Sequence, residues 1–445
     1  MKTLRTKNAR SASHLLNRVA TMFLFAACLL PRGGAIADGL PETETTGRRW
    51  YELGMMADPI LDQTLLFYFS HTWQQSADIG ECLATAAKVD ADDPASWSRQ
   101  WTALAERLTA VADTCLRKGH EVSAGEALMR AADYYRAALQ RYPDAGGPNV
   151  QRLTKASVEA FSNAVALLKM PVEIVRLPYE NTTLPGYFFR SPYADAKGPV
   201  LIVHQGRDGW AEHCVYIAEA ATKRGYHCLL FDGPGQGQVL RLQGLPFRHD
   251  WEKVITPVVD YLVTRPDVDR SRIGLMGLSM GGALAPRAAA FEKRLKVCVA
   301  DPGVLSWREV FAGFFDAFDP SLNGLWRTDP DRFNQTIGAL AQQVPLIDWG
   351  IKDSMWKHGV RTPAQLMAAM EPYTNEDVLS RIKCRMLVMD GTADDFSQGK
   401  RLYDALTCPK DYMLFTDEDT GLQHCQVGAL AISSARLFDW IEDNL

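Results

Sequence analysis

The segment 277–281, which reads Gly-Leu-Ser-Met-Gly, constrains the fold of this chain more than any other stretch. A mostly apolar run of strand length, 272–276, precedes it, and small, helix-favouring residues, 282–290, follow it. A serine between glycines at a strand–turn–helix junction is typical of a nucleophile elbow, because the strained turn leaves no room for neighbouring Cβ atoms. The motif therefore predicts Ser279 as a nucleophile at the end of a sheet strand.

Strands and helices alternate after residue 170, which predicts an α/β fold with a doubly wound, mostly parallel sheet. The predicted strands are 172–177, 186–189, 199–204, 226–231, 272–276, 295–300, 386–389 and 412–415. The first two are expected to pair at an edge of the sheet, and helices are predicted at 210–224 and 250–264. The segment between the strands ending at 300 and starting near 385 is too long for a plain crossover, so a helical lid insertion is predicted at about 304–380.

Before residue 170 the pattern is helical. Apolar residues recur at three- and four-residue steps, which predicts helices around 60–75, 96–117, 122–141 and 151–168. The sequence thus divides into a helical cap domain, 38–170, and a catalytic domain, 171–445.

The N-terminus has the pattern of an export signal. Basic residues precede an apolar run, 22–30, and the small-x-small sequence Ala35-Ile36-Ala37 follows. Since a membrane span needs about 20 apolar residues, the run is short for a bilayer helix. We predict a signal peptide over 1–37, cleaved after Ala37, and a secreted or periplasmic mature protein without stable membrane insertion. An uncleaved anchor, a misassigned start and a lipoprotein site at Cys28 are the alternatives.

The composition limits the partners of the chain. A formal net charge of −5 and the absence of a basic run beyond the N-terminus argue against a nucleic-acid partner. Nine cysteines occur without a C-x-x-C spacing, so a structural zinc site is not expected. In an oxidising compartment, Cys82–Cys115 and Cys384–Cys408 are conceivable disulfides.

A nucleophilic serine needs a base and a carboxylate to orient that base. In a fold with such an elbow the chain order is serine, acid, histidine. His424 is the only histidine after the acid loop, 390–395, and is the predicted base. Within that loop Asp394 fits the strand-G-x-x-D placement best, and Asp395 and Asp390 are the alternatives.

The oxyanion hole is predicted from two backbone N–H groups. One belongs to Met280, after the nucleophile, and the other to Arg207, in the loop 204–210, with a register good to one residue. The Arg207 side chain is expected to be solvated. The glycine-rich loop 231–237 lacks a phosphate-binding lysine and contains Pro234, so we interpret it as the floor beside the oxyanion hole. No metal or organic cofactor is expected.

Several motifs together resemble a known family. They are GRDG (206–209), FDGPGQG (231–237), GLSMGG (277–282), GTADD (391–395) and EDTGLQHCQVGA (418–429). This set is similar to that of α/β-hydrolases of the esterase FrsA-like and dipeptidyl-aminopeptidase-like branch. That branch includes 2,6-dihydropseudooxynicotine hydrolase and fungal polyketide-shortening pigment hydrolases.

The resemblance implies Ser279, Asp394 and His424 as the triad and a substrate cleft between the N-terminal helices and the sheet. It implies a serine hydrolase acting on a small-molecule ester or acyl substrate, with carbon–carbon cleavage of a β-diketone or polyketide-like ketone as the alternative. A non-catalytic binding member is a further alternative. An acidic cap residue assists one relative, and Glu121 and Glu126 are the candidates here. A homodimer is left open.

Overall fold

The computed structural model describes residues 49–142 and 144–445, without the side chains of 316–318. The predicted signal peptide, 1–37, lies outside the described residues. No helix of the described part is both long and apolar enough to cross a bilayer.

One eight-stranded sheet organises the chain after residue 170, in the order β1-β2-β4-β3-β5-β6-β7-β8. The strands are β1 (Val172–Tyr179), β2 (Thr182–Phe189), β3 (Gly198–His204), β4 (His227–Phe231), β5 (Val268–Leu278), β6 (Leu295–Asp301), β7 (Arg385–Gly391) and β8 (Lys410–Phe415). Strand β2 is antiparallel to β1 and β4, and the remaining pairs are parallel. This confirms the predicted doubly wound, mostly parallel sheet with an antiparallel edge.

The central strands are buried on both faces. Every residue of β3 and β4 is buried, as expected for continuous apolar strands covered by helices on both sides. The registers pair His204 with Gly277 and Leu278 with Asp301. The carboxyl ends of β3, β5 and β6 therefore meet at one edge, where ligands bind in open α/β sheets.

Within the described residues, five helices precede the sheet and form a helical layer, which we call the cap. They are α1 (Pro59–Ser70), α2 (Ile79–Ala86), α3 (Ser96–Arg117), α4 (Glu121–Leu139) and α5 (Pro148–Leu167). Small alanines let α4 lie in the middle of this layer, and from Met129 to Leu139 nearly every residue is buried. Trp97 and Trp101 of α3 are fully buried against it.

The other helices flank or cover the sheet. Those on its faces are α6 (Val215–Thr222), α7 (Glu252–Thr264), α8 (Gly281–Ala289), α14 (Gly399–Ala405) and α15 (Leu430–Asn444). Between β6 and β7 lie α9 (Trp307–Phe318), α10 (Leu325–Thr328), α11 (Pro330–Gln343), α12 (Pro345–Lys357) and α13 (Pro363–Met370), which we call the lid.

One detail of the secondary structure predicted from the sequence was wrong. The single helix predicted at 210–224 is a 3₁₀ turn, Ala211–Cys214, followed by α6, because the Trp210 backbone is extended and its N–H donates to the His213 ring at 3.3 Å. The eight cysteines of the described part are all free thiols, so neither conceivable disulfide is formed. Cys82 instead lies buried 3.8 Å from the Tyr134 hydroxyl.

Candidate active site

Ser279 occupies a strained turn between β5 and α8. Its φ of +60° lies in the left-handed region, which is uncommon for a residue with a Cβ. Two of the neighbouring glycines are required because any side chain at their positions would clash with the backbone. A Cβ at Gly277 would lie 2.1 Å from the Gly281 carbonyl oxygen, and one at Gly282 would lie 1.9 Å from that of Pro302. The elbow therefore admits only glycine at these two positions.

A continuous hydrogen-bonded chain runs from Ser279 to Asp394. The Ser279 Oγ lies 2.9 Å from Nε2 of His424. The other ring nitrogen, Nδ1, lies 2.8 Å from Oδ2 of Asp394. This is the arrangement in which a carboxylate orients an imidazole that can take the serine proton.

Of the three aspartates in the acid loop, Asp394 is the one placed against the histidine. Its side chain is fully buried, and Oδ1 accepts the Phe396 N–H at 3.0 Å, which fixes the turn. Asp395 is exposed. Asp390 accepts the Tyr412 hydroxyl at 2.6 Å.

The pKa of His424 is set by opposing effects. Burial alone would lower it, but the charge and hydrogen bond of Asp394, with the charge of Asp301, outweigh burial and raise the pKa above its usual value. The site therefore favours the imidazolium that forms when a serine proton is taken.

Asp301 is a second buried carboxyl beside this chain, and the sequence did not single it out. It ends β6, its backbone oxygen accepts the Ser279 N–H at 2.6 Å, and its Oδ1 accepts from the Gln426 side chain at 2.9 Å. Burial raises the pKa of the Asp301 carboxyl to about 7 despite that hydrogen bond. Its position could have been found from the strand end, since β6 borders the elbow strand.

The predicted oxyanion loop packs directly against the elbow. A Cβ at Gly206 would lie 2.5 Å from the Met280 backbone nitrogen and 2.8 Å from the Ser279 Cβ. Among the described residues, neither the Met280 N–H nor the Arg207 N–H donates to a protein acceptor. Both backbone donors thus remain available to a ligand near Ser279.

The glycine-rich loop after β4 supports the oxyanion loop. The Gln236 side-chain amide donates to the Gln205 backbone carbonyl, and its oxygen accepts the Gly233 N–H at 2.8 Å. Asp232 accepts from the Ala211 N–H at 2.8 Å. The side chains of Gln236 and Asp232 therefore hold the oxyanion loop and the turn that follows it in place.

The Arg207 side chain is buried in a charge cluster, so the expectation of a solvated guanidinium was wrong. It donates to Asp208 at 2.9 Å and to Asp353 of α12 at 2.6 Å. Lys357 of α12 pairs with Asp353 at 2.9 Å and also contacts Asp208. Although burial would raise the pKa of Asp208, the cations Arg207 and Lys357 lower it to about 2. These four residues, the charge cluster, join the oxyanion loop to the lid.

A cleft opens above Ser279 and His424, and most of its lining side chains are apolar or aromatic, as is usual for small-molecule sites. The lid side is aromatic, and Phe396 packs on His424 with ring centroids 4.9 Å apart. The lining includes Trp307, Phe311 and Phe314 of the lid with Phe396 after β7, and Phe67, His71 and Gln140 on the cap side with His213 after β3. The wall is thus apolar with a few polar groups.

The cap acids expected from the resemblance do not reach this cleft. Glu121 and Glu126 are exposed and do not line it, because both lie on the solvent face of α4. The carboxylate of this helix that contacts a cleft residue is Asp133, which is fully buried and lies 2.8 Å from Nδ1 of His71. Sequence reasoning missed both residues.

His71, Asp133 and His213 together have the ligand types of a metal site. The Arg136 guanidinium, however, donates to Asp133 at 3.2 Å, and the His71 contact has hydrogen-bond length. A fixed guanidinium on the carboxylate opposes a second cation. The cluster fits a hydrogen-bond network better than a metal centre.

Comparisons with known proteins agree with this geometry. Residues 200–425 match the alpha/beta hydrolase family, and residues 92–307 match the esterase FrsA-like family. The chain is 34% identical over 393 residues to hydrolase LUC6 of Fusarium sp, covering 82% of this chain and 92% of the relative. It is 33% identical to 20-hydroxy-prefusarin hydrolase FUS2 of Gibberella moniliformis, covering 83% and 92%.

Among solved structures, a 2,6-dihydroxy-pseudo-oxynicotine hydrolase aligns with a TM-score of 0.64 at 21% identity, covering 85% of this chain and 95% of that one. This likeness extends over the cap as well as the sheet. The resemblance inferred from the motifs is therefore confirmed, and the chain belongs to the alpha/beta hydrolase family.

Proposed function

We propose that this protein hydrolyses an ester or acyl bond of a small-molecule substrate through a covalent acyl-enzyme on Ser279. The observation that carries the proposal is the unbroken hydrogen-bonded chain from Asp394 through His424 to Ser279 at the base of an aromatic cleft. All the chemistry it needs is nucleophilic and acid–base.

The geometry gives each group a step. His424 Nε2 takes the Ser279 proton while Oγ attacks the carbonyl carbon of the substrate. The negative charge that develops on the carbonyl oxygen is stabilised by the N–H groups of Met280 and Arg207. The imidazolium then returns the proton to the leaving alcohol as the bond to the acyl group breaks.

Deacylation repeats the sequence with water. His424 takes a proton from water, the hydroxide attacks the acyl carbon, and the proton returns to Ser279 as the carboxylic acid leaves. Asp394 keeps Nδ1 protonated throughout, so Nε2 faces the serine as the base.

Carbon–carbon cleavage beside a ketone is the second candidate, and Asp301 favours it. A carbon leaving group departs as an enolate, whose protonation needs a persistent imidazolium. Two carboxyl groups, Asp394 and Asp301, bear on His424 and raise its pKa. This charge pattern suits a β-diketone or polyketide-like ketone as well as an ester.

A fluorophosphonate probe tests the nucleophile. It should label the wild type and leave Ser279→Ala unlabelled. Ser162→Ala is the matched control, since Ser162 lies in α5 and does not line the cleft, and it should remain labelled. If folded wild type is not labelled, the chain is a non-catalytic binding member of the family.

A substrate panel separates the two reactions. Aryl and alkyl esters of increasing acyl length are compared with lactones and β-diketones, and products are identified by mass spectrometry. Carboxylic acid plus alcohol supports ester hydrolysis, and acid plus methyl ketone supports carbon–carbon cleavage.

The export signal leads to a proposal about location. We propose that the protein is secreted or periplasmic after cleavage of residues 1–37, supported by the basic, apolar and small-x-small order of that segment. Sequencing the N-terminus of protein recovered from the exported fraction should begin at Asp38; retention of Met1 would contradict it.

A further inference from the structure

His71 lies on the cap wall of the cleft that holds Ser279 and His424. It begins the 3₁₀ turn His71–Gln74, directly after α1, and its side chain is only 2% exposed. The described structure gives its Nδ1 one partner, Asp133, and gives its Nε2 none. A polar nitrogen thus borders the cleft without a protein partner.

The surroundings of His71 determine which nitrogen carries the proton. A carboxylate only accepts hydrogen bonds, so the contact with Asp133 at 2.8 Å places the proton on Nδ1. Arg136, fully buried like Asp133, supplies the positive charge that matches the carboxylate. In the tautomer with the proton on Nδ1, the Nε2 atom of His71 presents a lone pair.

The ring is held in place on the remaining sides. The Phe67 ring packs edge-on against the His71 ring with centroids 4.3 Å apart, and the centroid of the His213 ring lies 5.0 Å from that of His71. The neighbouring Ser70 hydroxyl accepts the Gly428 N–H at 2.7 Å, which ties this turn to the loop of His424. The lone pair is therefore fixed relative to the catalytic base, as a specificity group must be.

We propose that Nε2 of His71 accepts a hydrogen bond from a hydroxyl group of the substrate, so that the enzyme selects molecules bearing an alcohol, enol or phenol on the cap side of the cleft. The inference rests on the proposed function, because it names the substrate class of the same site. Asp133 acts through His71 as a positioning residue.

Binding to the inactive Ser279→Ala variant tests this without turnover. The probes are methyl para-hydroxybenzoate and its homologues with a lengthening methylene spacer, each paired with the ester that lacks the hydroxyl. Calorimetry should show at least one hydroxylated ester binding roughly three- to tenfold more tightly than its partner, the size of one hydrogen bond.

Substitutions at position 71 then assign the effect. Adding His71→Leu should abolish the preference, whereas His71→Gln, which keeps an acceptor, should retain part of it. His120→Leu is the matched control, since His120 is exposed at the start of α4, and it should change nothing. Circular dichroism and thermal melting show that each variant is folded.

Two results would overturn the proposal: no hydroxylated ester is preferred, or His71→Leu weakens both members of each pair equally. A failure of the proposed function is recognised separately, by the absence of fluorophosphonate labelling in the wild type. The binding comparison is independent of that result.

Discussion

The hydroxyl oxygen of Ser70 accepts a hydrogen bond from the backbone N–H of Gly428 at 2.7 Å. The first residue ends α1 in the cap, and the second follows His424, the proposed base, in the same loop. Two further contacts join the same segments: Trp50 donates to Asp417 at 3.0 Å, and Gln63 donates to Gln423 at 3.3 Å. The cap thus supports the loop of His424 directly.

Ser70→Ala should loosen the loop of His424. We expect the free energy of unfolding to fall by about 1 kcal/mol and kcat/KM to fall several-fold. Ser162→Ala is the matched control, since each serine also donates to the carbonyl four residues back in its helix, at 3.0 Å for Ser70 and 2.7 Å for Ser162. Equal activity in the two variants would show that the contact with Gly428 does not position the loop.

Asp394→Asn should lower kcat by up to ~10⁴-fold, because the amide no longer favours the tautomer with a proton on Nδ1 of His424. Asp395→Asn changes an exposed side chain and should leave kcat close to the wild-type value. Steady-state kinetics on one ester compare them. If the Asp395 variant lost activity and the Asp394 variant kept it, Asp395 would be the triad acid.

In a profile of kcat/KM against pH, activity should fall on the acid side, and we call this fall the acid limb. Its apparent pKa should lie above the ordinary histidine value of 6.5, because the pKa of His424 is raised. The base works only when unprotonated, so activity is lost as the pH falls through that raised value. Asp301→Asn removes one of the charges that raise it, and should move the limb to lower pH. A limb that stays in place would mean that Asp301 is uncharged when the enzyme works.

Gly206→Ala should reduce activity by at least about 100-fold, the cost of losing oxyanion-hole geometry. The new Cβ would lie 2.5 Å from the Met280 nitrogen and force the two loops apart. Gly313→Ala, in α9, is the matched control, since its Cβ would meet nothing within 4 Å. Alanine in that helix should stabilise the protein by about 0.5–1 kcal/mol. An active Gly206→Ala enzyme would place the oxyanion donors elsewhere.

Asp353→Asn should destabilise the protein by about 3–5 kcal/mol, because it leaves two buried cations, Arg207 and Lys357, facing one carboxylate. Asp404→Asn breaks the exposed pair with Lys400 and should cost less than about 1 kcal/mol. Chemical denaturation measures both. Similar small losses would indicate that water reaches the charge cluster.

The sheet and the Asp–His–Ser geometry could be predicted because their signals are local. The elbow needs glycines around Ser279 on adjacent residues, and the acid and base follow particular strands in a fixed order. Arg207 was placed correctly in its loop, but its burial depends on α12, far along the chain. Only tertiary packing creates the charge cluster.

His71 and Asp133 illustrate what the sequence concealed. Their contact joins the 3₁₀ turn after α1 to α4, and no spacing rule relates them. One signal was present: Asp133 and Arg136 form a charged pair within the otherwise apolar, alanine-rich second half of α4, residues 131–139. Since charged residues are rarely buried unless paired, that pair pointed to a polar network inside the cap.

The left-handed backbone of Ser279 affects which substitutions evolution can accept at this position. A residue with a Cβ in that region costs the folded protein about 1–3 kcal/mol, a sizeable share of the usual stability of a domain. Glycine at position 279 would relieve the strain and remove the proposed nucleophile in the same step. Selection for robustness alone would therefore favour silencing the enzyme, and only continued demand for its chemistry maintains the serine.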